Sequence, residues 1–329
     1  MGHRKHSAPR RGSLAYSPRG RAKRFVPKIR TWPKIESPTP MLLGFPTFKA
    51  GTIHAITIDD REKTPNFGKP LFNPATVLAA PEAEVVGVRL YRREWGADWA
   101  MTETHAPDGK SGSKRGKGAP RSLEAWKEKL GGVARITGIV SVTPKDVGLS
   151  QKNPIKFEMG VGGGDIKSQF DYLTSLIGKR VKFSEIFKPG MYVDVLGITK
   201  GKGFEGPVTR FGVKRKQHKS RKSVRAVGVI GPWHPAAVMY TVPRAGQKGF
   251  QQRTESGKRI LLIGNGKEKP ITPAGGFLHF GNVNGDYAVL KGSVPGSPRR
   301  FVLVRYAARP KVRKIAPPQV VQISPGLGA

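Results

Sequence analysis

The chain has 329 residues, with 59 Lys and Arg against 22 Asp and Glu, a formal net charge of +37. It contains no cysteine, which excludes disulfides, thiolate metal sites and a cysteine nucleophile; its longest apolar runs fall far short of the ~20 residues of a membrane-spanning helix. Charge so far from zero repels itself until a polyanion neutralises it, and phosphate contacts do this with counterion release, so the expected partner is nucleic acid, with no membrane.

The charge is unevenly placed. Residues 1–35 hold 11 basic residues and no acid, residues 206–254 hold 11 and no acid, and residues 287–329 hold 8 and no acid. The rest of the chain is close to balanced, so a nearly ordinary globular part is expected to carry cationic extensions.

Taken from the start, residues 1–40 read as a basic N-terminal extension. The charged opening Met1–His6 is followed by no apolar stretch and is not a secretory signal. Pro9, Pro18, Pro27 and Pro33 interrupt a segment with neither a helical nor a strand period, which predicts disorder until a partner orders it. Arg4, Lys5, Arg10, Arg11, Arg19, Arg21, Lys23 and Arg24 alternate with Tyr16, Phe25 and Trp32. Guanidinium and aromatic planes both stack on bases, so this mixture suits RNA.

Residues 41–92 and 180–310 read as the β body, a β-barrel or a sandwich by their turns, with the barrel taken. Short β-branched runs recur at 52–58, 84–91, 191–199, 237–242, 259–263, 287–290 and 301–306, with Gly or Pro in nearly every gap. Residues 93–179 read as an α/β insertion. It holds a short helix over 122–130 capped by Ser122, strands over 133–142 and 154–159, and a helix over 165–177. In that last helix Asp165 stands at the N-cap, Gly178 at the end, and Ile166, Phe170, Leu173 and Ile177 on one face. Residues 108–121 are a basic, glycine-rich loop, and 311–329 a C-terminal tail.

Several patterns that resemble catalytic motifs fail on context. Gly201–Gly206 matches G-x-G-x-x-G after a strand, but Pro207 follows, no helical period is seen, and no acid lies ~20 residues on. A glycine turn is expected there. Val161-Gly-Gly-Gly-Asp165 precedes a helix but reads as a loop leading to an N-cap, because Asp165 would repel a phosphate. Gly109-Lys110-Ser111 lacks the earlier glycine of a phosphate-binding loop. The seven histidines never pair with one another at i, i+3 or i, i+4 spacing except His3 and His6 in the basic arm, and no carboxylate pair stands beside them, so no enzyme activity, cofactor or metal is expected.

Residues 206–254 are too long for an ordinary loop and read as a basic finger ordered by RNA, since an acid-free stretch is not expected to pack on itself. Arg210, Lys214, Arg215, Lys216, His218, Lys219, Arg221, Lys222, Arg225, Arg244, Lys248 and Arg253 are its expected RNA contacts, with Trp233 and His234 between Pro232 and Pro235. Trp233 reads either as a finger-tip contact or as a hairpin's core anchor.

Several segments resemble, in order, the universal "L-three" family of large-subunit ribosomal proteins, archaeal and eukaryotic type. They are His3–Leu14, Asp194–Gly206, Gly231-Pro-Trp-His-Pro235, Ala245–Phe250 with Arg253-Thr-Glu255, Gly275–Gly281 and Leu290–Ser297. Phe48-Lys-Ala-Gly-Thr-Ile-His54 departs from the family's usual form there, and 93–179 matches weakly. The resemblance implies a split β-barrel of the translation-protein type, mainly β with an α+β insertion. It implies binding to large-subunit ribosomal RNA beside neighbouring large-subunit proteins, a part in early subunit assembly, and a finger reaching toward the peptidyl-transferase centre with Trp233 at its tip. The protein is then cytoplasmic, in the ribosome. A duplex-DNA architectural protein fits the charge alone, but no groove-reading element is seen and no DNA partner is expected; an RNA-modifying enzyme would need a pocket that the motifs do not supply.

Overall fold

The computed structural model describes residues 9–105, 124–220, 222–309 and 316–324. They are mainly β. The strands are β1 (Met41–Leu42), β2 (Gly44–Ile58), β3 (Pro70–Ala79), β4 (Ala83–Glu94), β5 (Ala97–His105), β6 (Arg135–Val142), β7 (Ile155–Gly162), β8 (Arg180–Val181), β9 (Tyr192–Ile198), β10 (Gly201–Glu205), β11 (Gly246–Gly249), β12 (Gln252–Asn265), β13 (Asp286–Lys291), β14 (Phe301–Tyr306) and β15 (Val320–Ser324). The helices are short: α1 (Glu124–Lys127), α2 (Ile166–Leu176), α3 (Phe183–Ile186) and α4 (Pro207–Phe211). The chain divides into two compact units. A body takes residues 25–197 and everything from 254 on; a basic unit takes residues up to 24 and 198–253.

The body holds two sheets. In the larger, the order is β14-β9-β12-β13-β3-β2-β15, and β14 also pairs with β2. Pairings therefore run in a circuit from β2 through β3, β13, β12 and β9 to β14 and back to β2. Strands β9, β13 and β14 are buried on both faces, which explains why they read as near-continuous apolar runs. Alternate residues serve different cores, as the two-residue strand period requires. In β14, Val302 and Val304 join one cluster while Phe301 and Leu303 join the other. In β13, Ala288 and Leu290 divide from Tyr287 and Val289 in the same way.

The smaller sheet runs β1-β7-β6-β4-β5, with β8 on β4. It draws β1, and β4 from Ala83 on, from outside residues 93–179. Helix α2 lies on it through Phe170 and Leu173, both fully buried, with Ile166 and Ile177 packed alongside. A Cβ on Gly138 would stand 3.1 Å from Leu173, so the strand lets the helix approach. The Asp165 side chain makes no capping bond; Gln169 Nε2 instead donates to Gly163 O at 2.9 Å. The expected helix at 122–130 has a described part, α1, which continues as a 3-10 turn to Gly132; Ser122 and the loop 108–121 lie outside the described residues.

Within the body, parts of Phe48–His54, Asp194–Gly206, Gly275–Gly281 and Leu290–Ser297 meet. Lys49 Nζ donates to the carbonyls of Val294 and Gly296 at 2.5 and 3.2 Å. A Cβ on Gly51 would stand 2.3 Å from the Phe277 ring, and one on Gly197 3.2 Å from Pro295. These contacts pack strands β2 and β9 against the loops that hold Phe277 and Val294–Gly296.

Three expectations are corrected. Residues 237–242 form no strand: they lie in bends and a turn, with Val238, Met239 and Tyr240 exposed. Pro235 and Pro243 flank the run, and an apolar run without a neighbouring edge has nothing to pair with. After Gly206 the chain does form a helix, the five-residue α4, because Pro207 takes its first turn, where a missing N–H costs nothing. Residues 25–35 are not a free arm. Pro27 and Pro33 are buried, and Trp32 packs where a Cβ on Gly44 or Gly160 would come within 3.1 or 2.6 Å of its ring.

Candidate nucleic-acid interface

The basic unit carries 21 Lys and Arg and one acid, Glu205, in 80 residues, a net charge of +20. Its frame is the antiparallel pair β10–β11, in register at Phe204 with Gln247 and Glu205 with Gly246. Gly249 holds the crossing point. Its φ is +73°, and a Cβ there would stand 2.0 Å from Lys200 O, so no other residue fits. The N-terminal arm joins through Ala22 N–H, which donates to Phe250 O at 2.8 Å.

A unit with one acid cannot pack by salt bridges, and it uses carbonyls and rings instead. Arg210 donates from Nε to Gln247 O and from Nη1 to Arg244 O, each at 3.0 Å. Lys248 Nζ donates to Thr209 O at 2.6 Å, Arg10 Nη1 to Thr241 O at 2.8 Å, and Arg225 Nη2 to Thr209 Oγ1 at 2.9 Å. Arg253 Nη2 donates to Gln251 Oε1 at 2.8 Å. Guanidinium groups also cover rings: Arg19 lies 4.3 Å from the Phe211 centroid, Arg21 5.3 Å from Phe250 and Arg253 4.5 Å from Tyr16, an attraction to the ring face that needs no counter-charge. This corrects the expectation that an acid-free stretch cannot pack on itself. It also divides the expected RNA contacts into cations already used in packing and cations that face outward.

Arg11, Lys23, Arg24, Lys214, Arg215, His218, Lys219, Lys222, His234 and Arg244 are exposed. Lys216 is half-buried, its N–H on Val224 O. Arg4, Lys5 and Arg221 lie outside the described residues. Trp233 is 88% exposed, so it anchors no core in this unit.

Sequence reasoning missed a cleft of about 580 Å³ within the basic unit, where Arg19, Arg210 and Arg244 meet Phe211, Met239 and Tyr240. Its signal was the apolar run at 237–242 inside an acid-free segment, taken for a strand. It also missed the β4–β5 hairpin tip in the body, where Trp95 is 99% exposed with Trp99 nearby. That tip is charge-balanced: Arg92 pairs with Glu94 at 3.1 Å and Arg93 with Asp98 at 3.0 Å. Among the described residues, no three His, Asp or Glu side chains are grouped to hold a metal ion, and no helix is long and apolar enough to cross a membrane.

The family profile described as ribosomal protein L3 matches residues 1–116 and 92–323. Proteins named large ribosomal subunit protein uL3 are similar over nearly the whole chain. The one from Methanococcus aeolicus is 43% identical over 327 residues, covering 97% of each chain. That from Methanocaldococcus jannaschii is 44% identical over 327 residues, 96% of each. That from Methanocorpusculum labreanum is 40% identical over 324 residues, 96% of this chain and 97% of its own.

Proposed function

Because the chain belongs to the ribosomal protein L3 family, a family of large-subunit ribosomal proteins and not of enzymes, we propose that it binds large-subunit ribosomal RNA, supports early subunit assembly and extends residues 206–254 toward the peptidyl-transferase centre. The observation that carries this is the basic unit's net charge of +20. Its outward Lys and Arg reach phosphates without sequence preference, while Trp233 and His234 offer exposed rings for stacking. The exposed members of the expected contact set are the direct RNA ligands in this reading; Lys248 and Arg253 hold the unit in shape, as Arg210 does through Nε and Nη1.

The body's circuit of strand pairings supports reading the larger sheet as the split barrel of the translation-protein type. Neighbouring large-subunit proteins suit the charge-balanced Trp95–Trp99 hairpin better than RNA does, because that tip offers no surplus cation to a phosphate. Native ribosomes washed at moderate salt should retain the chain in the large subunit; its release into the wash would overturn the proposal. Competition between structured RNA and duplex DNA at matched salt should favour RNA.

A further inference from the structure

The cleft in the basic unit has features that general phosphate binding does not require. Arg19 and Arg210 share the ring of Phe211, at 4.3 and 5.2 Å from its centroid, and Arg19 Nη1 donates to Arg210 O at 3.3 Å. Two like charges are thus held together in a unit whose one acid is Glu205. Burial, and then the charge of Arg19, push Arg210 below the usual guanidinium range. Arg19 Nε is buried with no hydrogen-bond partner, an arrangement that costs free energy while it stays unsatisfied. Arg244 is a third arginine in the lining. Tyr240, 83% exposed, and Met239, half exposed, line the same cleft. The lining therefore combines cationic groups with an exposed aromatic ring and an apolar side chain.

We propose that this cleft takes one unstacked nucleotide of the RNA, its base against Tyr240 and Met239 and its phosphate on Arg19, Arg210 and Arg244. The inference rests on the RNA-binding reading above. Charge complementarity identifies the occupant: three guanidinium groups without a nearby carboxylate match a phosphate, and an aromatic face beside them matches a base. The cleft's volume lies within the range of small-ligand sites. A paired base is stacked on both faces within its helix and cannot lie on Tyr240, so the site should select a bulged or looped-out nucleotide over a continuous stem.

The test uses the full chain with two RNAs, a fully paired stem and the same stem carrying one bulged nucleotide. The wild-type protein should bind the bulged RNA more tightly, by roughly tenfold, in line with the stacking of one base on an aromatic side chain. Tyr240→Ala should bring the ratio of the two affinities to about one, and Tyr240→Phe should restore it; unchanged thermal melting of both variants certifies the fold. Equal affinity of the wild-type protein for the two RNAs, or a preference that survives Tyr240→Ala, would overturn the inference. So would tight binding of adenosine monophosphate alone without discrimination between the stems, which would mark a free-nucleotide site. Absence of salt-dependent binding to either RNA would sink the RNA-binding reading itself, a different outcome from the loss of discrimination.

Discussion

The burial of single side chains separates residues that hold the fold from residues that are free to contact a partner. Asp194 lies at the joint of β9 and β14, 2% exposed. It accepts from Gly257 N–H at 3.1 Å, Ala308 N–H at 3.0 Å and Arg305 Nη2 at 3.2 Å. Asp194→Ala would leave the largely buried Arg305 guanidinium without its carboxylate, a destabilisation of about 3–5 kcal/mol, measurable by denaturant unfolding. Trp233 is the opposite case. With its ring in solvent, Trp233→Ala should leave stability within about 0.5 kcal/mol while altering the activity of ribosomes that carry it; gross destabilisation in the unfolding assay would return it to the core-anchor reading. Asp59 shows a pH dependence of determined sign. Arg61 donates to its carboxylate from Nε and Nη2, both at 2.7 Å, and this bonding outweighs burial and holds the carboxyl well below its usual range. A depressed carboxyl stabilises the fold above its unfolded value, about 4, and that contribution is lost as pH falls through the lower folded value. Thermal melts of the wild-type protein and Asp59→Asn should therefore differ at neutral pH and converge in strong acid.

At the scale of elements, the β10–β11 pair and helix α4 show why the finger has a folded root. Arg210, on α4, bonds the carbonyls of Arg244 and Gln247, on and beside β11. Gly249→Ala would combine a positive φ with a backbone clash at Lys200 O. It should loosen that root and expose nearby amides to hydrogen exchange while those of the body stay protected. Removing residues 213–243 takes away Trp233 and seven basic residues, Lys214 to Arg225, but neither Arg210 nor β11. The variant should keep the body's cooperative unfolding and bind RNA more weakly. The log–log salt slope should flatten by roughly 0.7–0.9 for each phosphate that the shortened finger no longer neutralises. An unfolded body would refute the division into body and finger.

For the whole molecule, the uneven charge and the resemblance to the L-three family were legible in order along the chain. So were the existence of most body strands and the helix at α2. Local residue types and short-range periodicity decide these, and they need no knowledge of what the chain folds against. The sequence alone determined that this is a cationic, cysteine-free, mainly β protein with long acid-free segments. Only the tertiary structure decided which cations face outward. It brought the N-terminal arm, α4 and residues 238–244 together, so that Arg19 and Arg210, 191 positions apart, share one phenyl ring. It turned an apparent strand at 237–242 into the exposed wall of a cleft, and it committed Arg10, Arg210, Lys248 and Arg253 to carbonyls where carboxylates are missing. The physical reason is that net charge is a sum over residues, whereas a binding surface depends on distances between side chains, and those are fixed by contacts far apart in the chain.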